Sequence, residues 1–347
     1  MTEPRPSVLI CDDSRTYATA LRRLLEHDGD IDVVAHCATA EEAIAALPRL
    51  RPTLVTMDLE LPGMGGLHAV EQIMSRRPVA ICVLSSHIGD DTQRAAAALA
   101  AGALDAVDKG ALDVLDPAGA AAVAFRRRLK VLSRARVIRH PRAILQEANT
   151  ARRLTNTASV IGICSSTGGP QILSRLLESL PGDYAIPLLV VQHISPGFTD
   201  GLAEWLDRIV PLPVRIAEDR TPVSAGVWIA PEGAHLKLDS SGLLLLDSRT
   251  VGDLHRPSGD ILLESIAATA GRSGVAVVLS GMGRDGAAGA ATVKRSGGLA
   301  IAQDEESSAV YGMPKAALDA GVTLSLGPDG IAERLRGLRY EPIAVLS

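Results

Sequence analysis

The chain has 347 residues, 47% of them hydrophobic and only 2% aromatic, with 35 basic side chains against 40 acidic ones. That length is too great for one average domain and suits two, each able to bury a core. A net charge of −5 excludes a globally basic nucleic-acid binder and a protein drawn as a whole to an anionic membrane surface.

The opening MTEPRPSVLICDDS carries a short apolar run that two aspartates stop, which has the form of neither a signal peptide nor a spanning helix. A cytoplasmic protein without direct membrane insertion is expected. Cys11, Cys37, Cys82 and Cys164 show no CxxC spacing and lie mostly in or beside apolar runs, so buried thiols are expected rather than zinc or disulfides. Apolar runs then alternate with amphipathic stretches: SVLICDD, YATALRRLLEHDG, IDVVAHCATA, EEAIAALPRL, TLVTMDLELPG and PVAICVLSSH. This rhythm predicts βαβ units in a parallel, doubly wound sheet, whose ligand crevice lies at the carboxyl ends of the strands.

Polar residues close those runs in order. Asp12 and Asp13 end the first, Asp58 ends TLVTMD, Ser85 ends the run ICVL, and Lys109 closes LDAVDK. Any one of these aspartates reads as a helix N-cap or loop residue. Five polar residues together, each at its own strand end, predict a site. Three converging carboxylates repel one another unless a hard cation is present, and Mg2+ takes carboxylates, a carbonyl oxygen and waters. With the metal withdrawing charge, Asp58 can attack a phosphoryl donor in line, Lys109 can pair with the incoming oxygens and Ser85 can hydrogen-bond one of them.

Through CDDS, MDLELPGMGG, VLSS and DKG, roughly residues 5 to 125 resemble the receiver domain of two-component response regulators. The resemblance implies a flavodoxin-like fold, Asp58 as phosphoacceptor, and Ser85 and Lys109 as phosphate-sensing residues. It also implies metal ligation by Asp13, Asp58 and the Glu60 carbonyl, with Asp12 acting through water. The sequence departs from that family at Gly110, where a proline is usual, and at Ala106, where an aromatic usually couples phosphorylation to a surface change.

Residues 121–157 break the rhythm with many arginines, almost no acids and a polar tail. They read as a last receiver helix running into a linker, its first part solvated and its arginines paired with acids. No aromatic interleaving accompanies the basic run, so nucleic acid is not an expected partner.

The α/β rhythm restarts at SVIGICSSTGGPQILSRLLESL, where an apolar strand meets a Ser-Ser-Thr-Gly-Gly turn and a helix. A helix N-terminus there offers unpaired N–H groups and a positive dipole end. By itself that turn reads more readily as a phosphate-binding glycine loop than as the seat of a nucleophile. IPLLVVQHISPGF then ends its apolar run at His193, and GVAVVLSGMGRDGAAG leads into a glycine loop carrying Asp285. Three parallel strands would bring a hydroxyl, an imidazole and a carboxylate to one sheet edge. A serine needs a base to take its proton, and an imidazole needs a carboxylate on its other nitrogen to fix its tautomer. Ser166, His193 and Asp285 fit those roles, although the chain order and the absence of GxSxG exclude the usual α/β-hydrolase site.

SSTGGP, VVQHISPGFT, APEGAHL, HRPSGD, SGMGRDGAAG and AIAQDEESSAVYGMPKAA are similar to the catalytic domain of the chemotaxis protein-glutamate methylesterases. The resemblance implies Ser166 as nucleophile, His193 as base and Asp285 as orienting carboxylate, with Thr167 and Met282 shaping the site and its oxyanion pocket. It implies no cofactor for the esterase chemistry. The implied substrate is the glutamate γ-methyl ester of the methylated cytoplasmic region of chemoreceptors, with glutamine deamidation as a companion reaction. A chemotaxis histidine kinase is the implied phosphodonor, and phosphorylation is expected to free a catalytic cleft that the resting receiver blocks. Arg256 and Arg284 are candidates either to hold acidic receptor residues or to form loop salt bridges. The expected organisation is two doubly wound α/β domains: a receiver over 1–125, a basic linker over 126–156 and a Rossmann-like methylesterase domain over 157–347. The competing readings are a phosphorylation-dependent binding regulator with a vestigial esterase site and a nucleotide-binding oxidoreductase. The second lacks GxGxxG with a downstream ribose-binding acid.

Overall fold

The computed structural model describes residues 5–85, 91–135, 137, 157–248 and 255–343, which divide into two compact units. In the first, the apolar runs become strands and the amphipathic stretches helices. Its elements are β1 (Ser7–Cys11), α1 (Arg15–Glu26), β2 (Asp32–Cys37), α2 (Ala40–Leu50), β3 (Leu54–Asp58), α3 (Gly66–Arg76), β4 (Ala80–Ser85), α4 (Asp91–Ala100), β5 (Asp105–Asp108) and α5 (Ala120–Leu132). Ser14 and Thr39 start α1 and α2 by accepting from the backbone N–H of Tyr17 and Glu42. The five strands are parallel in the order β2-β1-β3-β4-β5. That order reverses direction between β1 and β3, where doubly wound sheets open their ligand crevice.

α5 continues to Leu132, so residue 125 lies inside a helix. Its basic face also departs from the expected solvated helix, because the Arg126 side chain is only 2% exposed. Three acceptors make that burial tolerable: the Asp28 carboxylate at 2.8 Å and the carbonyls of Leu24 and Pro117 at 3.2 and 2.6 Å. Arg127 is exposed while Arg128 pairs with Asp105 and Lys130 with Asp30, so the pairing with acids is observed and the solvation holds for one face of the helix but not for Arg126.

The second unit contains β6 (Thr157–Ala158), β7 (Val160–Ser165), α6 (Gly169–Glu178), β8 (Leu188–Gln192), α7 (Thr199–Ile209, of which Leu202 onward belongs to this unit), β9 (Val214–Ile216), β10 (Thr221–Pro222), β11 (Val227–Ile229), β12 (His235–Leu238) and β13 (Leu243–Asp247). It continues with α8 (Gly259–Ala270), β14 (Gly274–Val278), α9 (Ala287–Arg295), β15 (Leu299–Gln303), α10 (Met313–Asp319), β16 (Leu324–Leu326), α11 (Pro328–Arg336) and β17 (Arg339–Tyr340). Seven parallel strands run in the order β16-β15-β14-β7-β8-β11-β9, beside the small antiparallel sheet β10-β13-β12 and the pair β17-β6. β7, first of the seven in the chain, has β8 on one side and β14 on the other, so the direction of winding changes at its carboxyl end.

Both large sheets are buried through their central strands, β3, β4, β7, β8 and β14 having no exposed residue. Leu262, Leu263 and Ile266 of α8 join Val160, Leu189, Val191 and Val278 in one core, and each such side chain contributes about 1.5–3 kcal/mol when fully buried. All four cysteines are free and buried. Among the described residues no helix is long and apolar enough to cross a membrane.

Candidate functional site

The five strand-end residues of the first unit converge. Asp12 and Asp58 are buried beyond β1 and at the end of β3, Asp13 is exposed beside them, and one carboxylate oxygen from each lies within 4.8 Å of the others. Lys109 Nζ, arriving after β5, stands 2.6 Å from Asp58 Oδ2 and 2.8 Å from Asp12 Oδ2. Its backbone N–H donates to the Ser85 carbonyl at 2.9 Å, which fixes these two residues to each other. Ser85 is itself fully buried at the end of β4. The Glu60 N–H donates to Asp58 Oδ1 at 3.0 Å and the Ser14 N–H to Asp12 Oδ1 at 2.9 Å.

Those donors are too few for the charge present. Burial pushes the Asp58 carboxyl up despite Lys109 and the Glu60 N–H, and Asp12 adds to the rise. On Lys109, burial works against the proton, but Asp12 and Asp58 outweigh it and push the ammonium up. Among the described residues Asp12 Oδ2 has no properly directed hydrogen bond, only the Lys109 ammonium at 2.8 Å. A buried carboxylate oxygen left in this way, among hard oxygen donors only, fits a divalent cation such as Mg2+. Tyr17 was not among the expected site residues, yet its ring lies under Lys109 Nζ at 4.8 Å. Ala106 is wholly buried in β5. The Gly110 N–H donates to Asp108 Oδ1 at 2.9 Å, an Asx turn that shapes the loop where a proline is usual.

In the second unit the adjacent strands β8, β7 and β14 carry His193, Ser166 and Asp285 on the segments that leave their carboxyl ends. Backbone bonds lace these segments together: His193 N–H donates to Ser165 O at 2.8 Å and Ser166 N–H to Ser280 O at 3.0 Å. Gly168 takes φ +73°, a left-handed conformation that glycine adopts freely, and starts α6 directly after the serine. Gly281 allows the other loop to close in, since a Cβ there would fall 2.8 Å from the Ser166 Cβ and 2.2 Å from Met313 Sδ.

His193 Nε2 lies 2.8 Å from Asp285 Oδ2, with side-chain exposures of 13% and 7%. Asp285 is also held by the N-terminus of α8: the Ser258 hydroxyl and Asp260 N–H donate to Oδ1 at 2.8 and 3.0 Å, and the Gly259 N–H donates to Oδ2 at 2.6 Å. Burial would raise this carboxyl. The imidazole and the two helix N–H groups outweigh burial and hold it far below the usual carboxylate range. With Nε2 turned to that anion, Nδ1 is the ring nitrogen left to accept a proton.

Two features escaped the sequence reading. Gln192, buried at the end of β8, donates through Nε2 to the carbonyls of Ser166 and His193 at 2.9 and 2.8 Å and accepts from Ser165 Oγ at 2.5 Å. The available signal was an amide ending an otherwise apolar strand next to His193. Ser258 was the other, visible as an N-cap residue ahead of the helical run DILLESIAATA. Thr167 is buried, and its carbonyl accepts from Ser280 Oγ at 2.8 Å. Met282 is 37% exposed on the facing loop. Arg256 and Arg284 are exposed, and Arg256 donates to the Ser248 carbonyl at 3.1 Å. A half-buried hydroxyl before a helix N-terminus, an imidazole and a carboxylate held ionised form an arrangement suited to acyl transfer.

Residues 161–335 match the family described as CheB methylesterase, and residues 8–115 match the response regulator receiver domain. The chain is 39% identical over 331 residues to protein-glutamate methylesterase/protein-glutamine glutaminase 3 of Paramagnetospirillum magneticum, covering 91% of this chain and 90% of that one. It is also 39% identical to a protein of the same name and number from Anaeromyxobacter dehalogenans, covering 94% and 97%. The crystal structure of the CheB methylesterase catalytic domain of Thermotoga maritima is similar to 52% of this chain and 98% of its own, with a TM-score of 0.50 and 39% identity.

Proposed function

This chain belongs to the CheB methylesterase family, and from that premise we propose that it is a phosphorylation-regulated serine hydrolase removing γ-methyl esters from glutamates of chemoreceptors. Receptor glutamines are proposed as its second substrate, and sensory adaptation in a two-component pathway as its setting, with the protein working in the cytoplasm. The observation that carries this reading is the adjacency of β8, β7 and β14, which supports a nucleophile, a base and an ionised carboxylate at one edge.

In the proposed reaction His193 Nδ1 takes the Ser166 proton as Oγ attacks the ester carbonyl. Thr167 and the backbone around Met282 line the pocket for the oxyanion. His193 then returns the proton to the departing methoxy oxygen and methanol leaves. Water, deprotonated by the same nitrogen, attacks the glutamyl-serine ester, and His193 passes that proton to the departing Ser166 Oγ to give free glutamate and the starting enzyme. An amide passes through the same acyl-enzyme with ammonia leaving. No cofactor takes part in these steps.

In the receiver, Mg2+ held by Asp13, Asp58 and the Glu60 carbonyl, with Asp12 acting through water, would neutralise charge around the acceptor and the incoming phosphoryl group. Asp58 attacks phosphorus and becomes an acyl phosphate, while Lys109 and Ser85 hold the phosphoryl oxygens. A chemotaxis histidine kinase is the proposed donor. The proposed organisation is a receiver over 1–125, a basic linker over 126–156 and a methylesterase domain over 157–347; a truncation that spares α5 would cut after Leu132.

Methanol release from methylated chemoreceptor fragments tests the whole reading. We expect release by the wild-type chain, its stimulation by Mg2+ with a small-molecule phosphodonor, and its loss in Ser166→Ala. Absence of release from wild type with and without phosphodonor would overturn the proposal.

A further inference from the structure

His193 is held less completely at its edges than on its face. Nε2 lies 2.8 Å from Asp285 Oδ2 and Nδ1 has no hydrogen-bond partner among the described residues, so a single polar contact at one edge leaves the tilt of the ring about that contact unset. One face of that ring is covered by His255, with centroids 4.5 Å apart and planes 15° from parallel. His255 stands three residues before Ser258, whose hydroxyl binds Asp285, so a single segment supports both the carboxylate and the imidazole.

We propose that His255 is a positioning residue for the base: stacked on His193, it fixes the plane of that ring and screens one face from water while the ring gains and loses its proton. This rests on the assignment of Ser166 and His193 as nucleophile and base. The charge on His255 suits the role. Among the described residues the charged and titratable groups that act on it are His193 and Asp285; burial first, then His193, push the His255 imidazole down, and Asp285 opposes them only in part. Arg256, next in the chain, turns a guanidinium nitrogen to the Ser248 carbonyl. A neutral aromatic face favours the imidazolium that forms on His193 during attack, whereas a second imidazolium would repel it.

The test uses the full-length chain with phosphodonor and a methylated chemoreceptor fragment, comparing wild type, His255→Ala, His255→Phe and Ser166→Ala. His255→Ala should lower kcat about tenfold and leave KM within about twofold, because loss of orientation acts on the reacting geometry and not on receptor binding. His255→Phe keeps a stacking ring that takes no proton and should return kcat to within about threefold of wild type. The proposal is overturned if His255→Ala keeps wild-type kcat, or if both variants are equally slow while their circular dichroism and thermal midpoints match wild type. It is also overturned if the loss lies wholly in KM. Retained hydrolysis in Ser166→Ala would instead sink the assignment of the nucleophile on which the proposal rests.

Discussion

In the first unit the buried carboxylates of Asp12 and Asp58 share one ammonium and two backbone N–H groups, whereas in the second the single carboxylate of Asp285 receives a hydroxyl, two helix N–H groups and an imidazole. Both lie at a switch point of a parallel sheet, and burial acts on both in the same direction. Donor supply decides the outcome: the Asp58 carboxyl is pushed up and the Asp285 carboxyl is held down. Under the proposed function, the group that must stay an anion through every turnover is surrounded with fixed donors, and the group that must exchange a cation and a phosphoryl group is left incompletely satisfied.

The largest effect expected from this contrast comes from the proposed nucleophile. Ser166→Ala should reduce ester hydrolysis by on the order of 1,000-fold or more while phosphorylation of Asp58 by a radiolabelled phosphodonor stays at the wild-type level. A parallel loss of phosphorylation would mean that the two sites are not chemically separate. Asp285→Asn comes next, with a fall in kcat on the order of 1,000-fold, since an amide can impose the wrong tautomer on His193. The same variant tests the sign of the pKa shift. Because the folded-state pKa of Asp285 is depressed, its stabilisation is complete above the ordinary carboxylate pKa of about 4 and is lost as pH falls through the lower folded value. The difference in thermal midpoint between wild type and Asp285→Asn should therefore be largest at pH 7 and shrink on acidification below about pH 4.

Asp58→Asn should abolish stimulation by phosphodonor, a change of about 5- to 150-fold if the coupling is of ordinary size. Its effect on stability should have the opposite sign to that of Asp285→Asn. A raised folded-state pKa means that ionised Asp58 destabilises the receiver at neutral pH, and the strain is relieved as pH falls through that raised value. In metal-free buffer Asp58→Asn should raise the first thermal transition by about 4 °C, and adding Mg2+ should raise it more for wild type than for the variant. A lower midpoint for Asp58→Asn in metal-free buffer would break the contrast. The smallest effect is expected at Gln192. Replacement by Leu removes both donors to the Ser166 and His193 carbonyls, and kcat should fall about tenfold, with receptor binding in a pull-down unchanged.

Much of this was legible in the chain because strand-end chemistry announces itself. An apolar run that stops at Asp58, Ser85 or His193 gives at once the element, its direction and the edge where its last side chain sits. The nearness of Ser166, His193 and Asp285 was readable for the same reason, each lying downstream of a run of buried aliphatic residues. What stayed hidden depends on contacts between segments distant in sequence. Gln192 gains its meaning only once β7 pairs with β8, and the helix that holds Asp285 begins at Ser258, on an element whose sequence shows a cap and not what the cap touches. Arg126 looked solvated because its neighbours in α5 are basic; its three acceptors come from other parts of the unit. The His193–His255 stack carries no sequence signature, since an exposed-looking histidine in a loop is ordinary.

The winding of the larger sheet has a consequence for how the protein comes into being. β7 is made first, yet its neighbour β14 is separated from it by most of the unit, so Ser166 leaves the ribosome long before the strand that brings Asp285 beside it. Closing so long a loop comes late in folding because its entropy must be surmounted before the contacts it allows can form. A nascent or truncated chain thus carries the proposed nucleophile in a harmless form. Recovery of hydrolysis after dilution from denaturant would report completion of the sheet's centre and not the first collapse of its strands.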